Sequence, residues 1–539
     1  MPEARSRCIL GLLTSEQRQG SDRALTEAAF SGSSWTIVQV ALNKGAAALA
    51  ALFLGYLLTA EQFGVAWFAT SVGQALLILP VVAVIDILLA HPRSFPVLAR
   101  PASSLARRAG LVQSLVGLAA GGALSWVYPS KPGLFLAMAV VSMRPFVDSM
   151  AIVPMSGMRI GLRYGTLAKV DCAVAFCASV TSVAMAWLGA GATSIVLPPI
   201  AAIAVRGIVY GRIAPLPSRF VDRARVASVL RHRFLVAAVG SYLASLVFML
   251  EMVTLGLSVT TRSLGLFAFA FGLATQVNGA ISFQAAGALQ PIISRLADDA
   301  DRQASAALRA IRLLVAVVVP ILLVQCAVGG PIIRTAWQGK WNDAVPLFEA
   351  LSVVHAAYVC QWPSAFILKA QGRFRGYLQV QVLNIAVAVP AFFAAIFWLQ
   401  EPLRGMSLRL GLAVAPDASA PFAVILVSFV LVCCFSPLML WLVGRPTRVP
   451  LGAVLDAVWR PWIVALPLAV LVGILARIVE RLPGSAVVVV GALFGLAAVG
   501  CLLGVACSVC TRRSIRMDAR RGFDALAAAV RRRIPEATS

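Results

Sequence analysis

Charge is scarce in this chain. Only 13% of its residues are Asp, Glu, Lys or Arg, and 60% are hydrophobic, whereas an ordinary soluble domain is about 25% charged. That shortage excludes a soluble protein. Histidine is scarcer still, with His91, His232 and His355 the only three. No HExxH, GxSxG or Walker A sequence occurs, and no His/Asp/Glu cluster has metal-ligand spacing. The chain is therefore expected to be no enzyme, to require no cofactor or metal, and to hydrolyse no ATP itself. Long polar loops are missing as well: the longest on the outer face, residues 400–421, cannot hold a folded domain. The ten cysteines form no secreted disulfide framework, because Cys172, Cys177, Cys326, Cys360, Cys433, Cys434 and Cys501 sit inside apolar runs as small hydrophobes. Cys507 and Cys510 close the last run at a CxxC spacing that by itself is a weak redox or metal signal. The first 27 residues offer only the apolar patch Ile9–Leu13, too short for a signal-peptide core.

What the chain has is apolar runs long enough to cross a bilayer, which takes roughly 20 residues. Fourteen candidates lie at 33–57, 64–89, 107–128, 133–156, 168–188, 191–211, 234–257, 264–289, 311–333, 346–368, 377–399, 421–443, 461–478 and 485–508. The expected fold class is an all-α polytopic membrane protein. An even number of spans puts both termini on one side. The N-terminal tail, the C-terminal tail and every second loop carry 35 Lys and Arg, and the opposite loops carry 8. That asymmetry predicts cytoplasmic termini. It also explains the net charge of +24 through orientation and attraction to anionic inner-leaflet lipid, with no nucleic-acid partner. The tail from Arg512 to Arg533 alternates arginines with Ile515, Met517, Phe523, Leu526 and Val530, the pattern of an amphipathic helix lying on a leaflet.

The sequence also echoes itself. Leu58-Thr59-Ala60-Glu61-Gln62-Phe63-Gly64 returns 201 residues later as Val259-Thr260-Thr261-Arg262-Ser263-Leu264-Gly265. A second echo relates Gly161–Leu167 to Gly372–Leu378 at an offset of 211. Two echoes at nearly one offset predict two homologous six-helix lobes of parallel topology with a central cavity. The expected organisation is a cytoplasmic tail (1–32), an N-lobe (33–211), a basic linker (212–233), a C-lobe (234–443), an extra helix pair (444–508) and a basic amphipathic tail (509–539). Lobes of this kind are the architecture of alternating-access transporters.

Ser34-Trp35 opening the first span and Leu57-Leu58-Thr59-Ala60-Glu61-Gln62-Phe63-Gly64 at its outer end carry a resemblance. The chain resembles the Wzx-type polysaccharide flippases of the multidrug/oligosaccharidyl-lipid/polysaccharide exporter superfamily. Tyr56 and Ala60 depart from the Arg and Pro usual in that motif. The resemblance implies a V-shaped two-lobe cavity that moves an undecaprenyl-diphosphate-linked oligosaccharide to the outer leaflet, with polysaccharide polymerase machinery as a partner. A lipid II flippase and a multidrug antiporter of the same superfamily are the alternatives within transport. A membrane polymerase or acyltransferase is the alternative outside it.

Ionisable residues inside spans are the candidate functional groups, since charge in hydrocarbon is costly. Lys44, mid-span, suits a diphosphate, and Gln39 and Asn43 nearby are expected to bind the substrate with it. Glu251 in span 7 corresponds under the repeat to Ala50, about 9 Å along the helix from Lys44. It is expected either to pair with Lys44 or to couple transport to protons. Arg144 and Asp148 are i, i+4 neighbours that can neutralise each other; the functional reading gives Arg144 to phosphate and Asp148 to coupling. Gln276 and Asn278 in span 8, with Gln284 and Gln290, can bind sugar hydroxyls or join helices. Asp86, Asp171 and Arg206 lie near cytoplasmic ends and are expected to reach the head groups.

Overall fold

A segment surrounded by lipid must satisfy every backbone N–H and C=O within itself, which apolar runs of this length can do only as helices. The computed structural model describes residues 39, 42–77, 84, 85, 88, 95–161, 163–216, 239, 242, 243, 246, 247, 249–294, 300–371, 374–409, 414–444 and 451–510, and no strand occurs among them. Helices stand at all fourteen expected positions: α1 Leu42–Leu57, α2 Ala60–Leu77, α3 Phe95–Val127, α4 Leu134–Ile160, α5 Tyr164–Trp187, α6 Thr193–Ile213, α7 Met249–Ser258, α8 Thr261–Ser294, α9 Ala300–Ala336, α10 in two parts (Val345–Tyr358 and Gln361–Ala370), α11 Phe374–Ala394, α12 Pro416–Gly444, α13 Leu451–Glu480 and α14 Ala486–Cys510. Ten of these are long and apolar enough among the described residues to cross a membrane. The protein is an all-α, multi-pass membrane protein.

Several helices run past the apolar windows. Residues 90–108, 292–312 and 444–460 were expected as loops, but α3 begins at Phe95, α9 at Ala300 and α13 at Leu451. At 33 residues, α3 is about 50 Å long, well beyond a hydrocarbon core of roughly 30 Å. Hydropathy registers the membrane-buried part and misses the polar continuation. The starts of α2 and α8 are also earlier than expected, for a local reason. The Thr59 N–H donates to Gln62 Oε1 at 3.0 Å and the Gln62 N–H to Thr59 Oγ1 at 3.4 Å, a reciprocal capping box. Thr260 Oγ1 accepts from the Ser263 N–H at 3.2 Å at the matching place in the echo.

Packing divides the chain into two compact units: Met1–Leu57, Leu76–Pro129 and Leu134–Ser241 form one, and Leu58–Ala75, Ser130–Gly133 and Tyr242–Ser539 the other. In the first, α3 presents Ala99, Ala102, Ala106, Gly110, Gly117 and Gly121 as its buried face. Small residues permit close approach where lipid supplies no hydrophobic drive: a Cβ on Gly110 would stand 2.6 Å from the Pro145 carbonyl oxygen of α4. In the second unit, α13 and α14 pack on α9, and Arg334 Nε and Nη2 clasp Glu480 at 2.7 and 2.9 Å.

Several helix ends of the second unit are drawn together around the start of α8. Gly64 and Gly265 pack reciprocally: a Cβ on Gly64 would collide with the Thr261 carbonyl, and one on Gly265 with the Ala60 carbonyl. Phe269 stacks on Trp341 at 4.0 Å, with Phe63 edge-on to both. Arg262 meets Asp417 at 2.9 Å, Asp343 at 3.5 Å and Glu61 at 3.9 Å. Lys131 is buried, donating to the carbonyls of Gly256 and Val259 at the end of α7.

Candidate functional site

Among the described residues, two groups of polar side chains within the helices stand out, one in each unit. In the first unit Gln39 and Asn43 are one helical turn apart, so they share a face of the opening helix. Gln39 Nε2 donates to Asp171 Oδ2 at 2.8 Å, and Tyr210 Oη donates to Asp171 Oδ1 at 2.6 Å. From Asp171 the chain of contacts continues to Arg206 at 3.7 Å, from Arg206 to Asp148 at 3.7 Å, and from Asp148 to Arg144 at 3.4 Å. Residues near α1 and on α4, α5 and α6 are thus tied into one network.

Two arginines and two aspartates leave this network neutral overall, which is how charge persists in a low-dielectric setting. Its parts differ in what they can still do. Asp171 accepts two short hydrogen bonds and is committed to holding α5, α6 and Gln39 together. Asp148 is shared between two guanidiniums. Arg144 keeps 43% of its side chain exposed and so retains donors for an incoming anion. Asn43 Oδ1 is buried with no hydrogen-bond partner among the described residues, and Lys44 beside it is half-buried.

Asp171 and Arg206 each lie about 10 Å, or two turns, along the helix from its nearer end, and the side-by-side packing of α5 and α6 pairs them with each other. Tyr210, fully buried, had no signal in the sequence, since a tyrosine in an apolar run reads as packing. Asp86 lies outside the described residues.

In the second unit a cavity of about 50 Å³ opens between α7, α8, α10, α11 and α12. Its polar lining is Glu251, His355, Tyr358, Gln361, Asn384 and Ser428. Ser428 Oγ donates to Glu251 Oε1 at 2.6 Å. His355 is buried, its ring edge-on to Phe271 at 5.7 Å. A space of this size with several polar walls can hold water. Gln276 and Asn278, in α8, are not among the lining residues of this cavity. Gln276 Nε2 donates back to its own helix at the Gly272 carbonyl, 2.8 Å away, while Asn278 is buried with its Oδ1 unpartnered among the described residues. The side chains of Gln284 and Gln290, and the tail from 511 onward, lie outside the described residues.

The groups brought together here offer hydrogen bonds, two guanidiniums, and a carboxylate and an imidazole on one cavity. Among the described residues no three His, Cys, Asp or Glu side chains come together to hold a metal.

Residues 53–346 match the family described as polysaccharide biosynthesis protein. Among solved structures the chain is similar to lipid II flippase MurJ in an inward closed conformation, with TM-score 0.58 and 10% identity over 88% of this chain and 98% of that one. It is also similar to an inward-facing multidrug resistance MATE family transporter of the MOP superfamily, with TM-score 0.54 and 12% identity over 78% and 96%. At these identities the likeness is one of fold. No curated protein sequence matches the chain.

Proposed function

The chain belongs to the polysaccharide biosynthesis protein family, and from that premise we propose that it is a flippase for an undecaprenyl-diphosphate-linked oligosaccharide, carrying repeat units of a surface polysaccharide from the inner to the outer leaflet. The observation that carries this reading is the polar stretch of the opening helix, where half-buried Lys44 adjoins Asn43 and its unpartnered carbonyl oxygen. A cation at that depth offsets the lost hydration of a diphosphate, and the amide suits the sugar beside it. Arg144 is a second phosphate ligand, and Gln276 and Asn278 are sugar contacts. Gln39 acts through Asp171 in setting the helix that bears Lys44.

Transport is by alternating access of the two homologous halves, 33–211 and 234–443, with 444–508 an added helix pair. An ion gradient or the membrane potential drives it, the potential being worth about 2.3 kcal/mol per charge per 100 mV. Glu251 is the coupling carboxylate, and Asp148, held between two arginines, is the subsidiary one. The protein resides in a bacterial inner membrane with both termini in the cytoplasm, its basic tail on anionic inner-leaflet lipid, and delivers to polysaccharide polymerase machinery.

Lys44→Ala tests the reading. The variant should insert at normal levels, abolish surface polysaccharide and leave lipid-linked repeat units on the cytoplasmic side; Lys44→Arg should retain part of the export, since the charge persists with altered geometry. Normal export by Lys44→Ala would overturn the diphosphate role. A multidrug antiporter would instead leave polysaccharide untouched and change resistance to cationic drugs.

A further inference from the structure

Buried polar atoms almost always have partners, and those that lack one call for a reason. His355 presents two: Nδ1 and Nε2 are both buried and neither has a hydrogen-bond partner among the described residues. An apolar residue of similar size would fill the same space at lower cost, since a buried polar group left without a partner costs free energy. His355 does not face a dry core. It lines the same cavity as Glu251, whose Oε1 takes the Ser428 hydroxyl.

From this geometry we propose that His355 and Glu251 form one proton-carrying pair, joined through water in the cavity, so that the coupling site is a carboxylate and an imidazole together. The inference rests on the reading of Glu251 as the coupling carboxylate. The transfer balances simply. An imidazolium nitrogen gives its proton to cavity water, that water passes a proton to the Glu251 carboxylate, and the products are neutral imidazole and neutral carboxylic acid. With one proton aboard the pair is neutral in total in either arrangement. The proton can therefore move between the two groups without placing net charge in the bilayer, and only its departure leaves the pair at −1. A lone Glu251 would have no second position for the proton within the cavity.

The surrounding groups leave these two as the exchanging pair. Tyr358 is the other titratable group lining the cavity, and it senses both Glu251 and Tyr377. Gln361, Asn384 and Ser428, from α10, α11 and α12, are neutral. Glu349 lies nearly two turns away on the same helix as His355 and senses Arg334 and Arg477; Cys326 on α9 senses Glu349.

The test uses the full chain in lipid nanodiscs. With His91 and His232 replaced by Gln, ¹⁵N-labelled histidine reports His355 alone, and an infrared difference spectrum reports the Glu251 carboxyl band between pH 5 and 9. Coupled groups titrate with midpoints belonging to the pair. The imidazole midpoint should therefore move by about one pH unit or more in Glu251→Gln, and the carboxyl midpoint by a similar amount in His355→Gln. If either variant fails to fold, the two signals in the unsubstituted pair should still change over the same pH intervals. Independent midpoints, or an imidazole signal that ignores pH and answers to added sodium, would overturn the pair. Polysaccharide export is scored separately, so loss of the flippase reading with coupled titration intact stays distinguishable from failure of the pair.

Discussion

Lys131 sits in the turn between α3 and α4 with 7% of its surface exposed. Its ammonium lies over the Phe68 ring at 4.7 Å and donates to two carbonyls at the end of α7, where the helix dipole is negative. Burial nevertheless pushes its pKa down from 10.5 to about 8, because desolvation penalises the charged form. Between about pH 8 and 10.5 the unfolded chain then binds more protons at this site than the folded one, so stability rises with pH across that window. Below pH 8 the charge is present in both states and the penalty is fully felt. Relative to Lys131→Met, which has no such proton to lose, the melting temperature of the purified protein should climb as pH goes from 8 to 10. A difference that is flat or falling with pH would show that the carbonyls and the ring outweigh the desolvation. A lysine in a loop has no periodicity and no motif, so nothing in the sequence distinguishes it from a solvated one.

At the scale of helices, the crossing of α2 and α8 is the most exacting contact in the second unit. Gly64 and Gly265 each face a backbone carbonyl of the other helix, and backbone cannot swing aside as a flexible side chain can. Gly64→Ala should therefore lower stability by about 1–3 kcal/mol, the range for overpacking, and Gly265→Ala by a similar amount. Because both strain one contact, the double variant should lose less than the sum, measurable by thermal unfolding in detergent. Additive losses would mean that the two glycines act separately. The sequence made much of this legible: the fourteen helices follow from apolar runs of about 20 residues, and the glycines and capping threonines are visible as an echo. Helix starts were misplaced where Thr59 and Thr260 cap earlier than hydropathy begins, and where α3, α9 and α13 continue as polar helix. The candidate site was half legible. Costly charges such as Lys44, Arg144, Asp148 and Glu251 announce themselves, but Arg206 beside Asp148 and Ser428 beside Glu251 come from other helices. Which helix lies beside which is a tertiary fact that one-dimensional spacing does not contain.

For the whole molecule, the contacts give the direction of helices within each unit, and the charge bias predicts which side faces the cytoplasm. Gln39 before α1 and Asp171 near the start of α5 meet Tyr210 near the end of α6, so α1 and α5 start on one side and α6 returns to it. In the second unit, Arg262 at the start of α8 reaches Glu61 at the start of α2, Asp343 just before α10 and Asp417 at the start of α12. The starts of α2, α8, α10 and α12 thus lie at a common level, as strict alternation across a membrane requires. Neither set of contacts knows inside from outside. The bias of 35 against 8 Lys and Arg predicts which is which, because positive loops tend to stay in the cytoplasm. Fluorescent-protein fusions at Ser539 and within 212–233 should therefore fluoresce, and alkaline phosphatase inserted near Pro416 should be active. Phosphatase activity at Ser539 would reverse the orientation or change the parity of the spans. A reversed orientation would also undermine the proposed direction of transport, since Gln39, Asp171 and Tyr210 would then lie toward the outer leaflet.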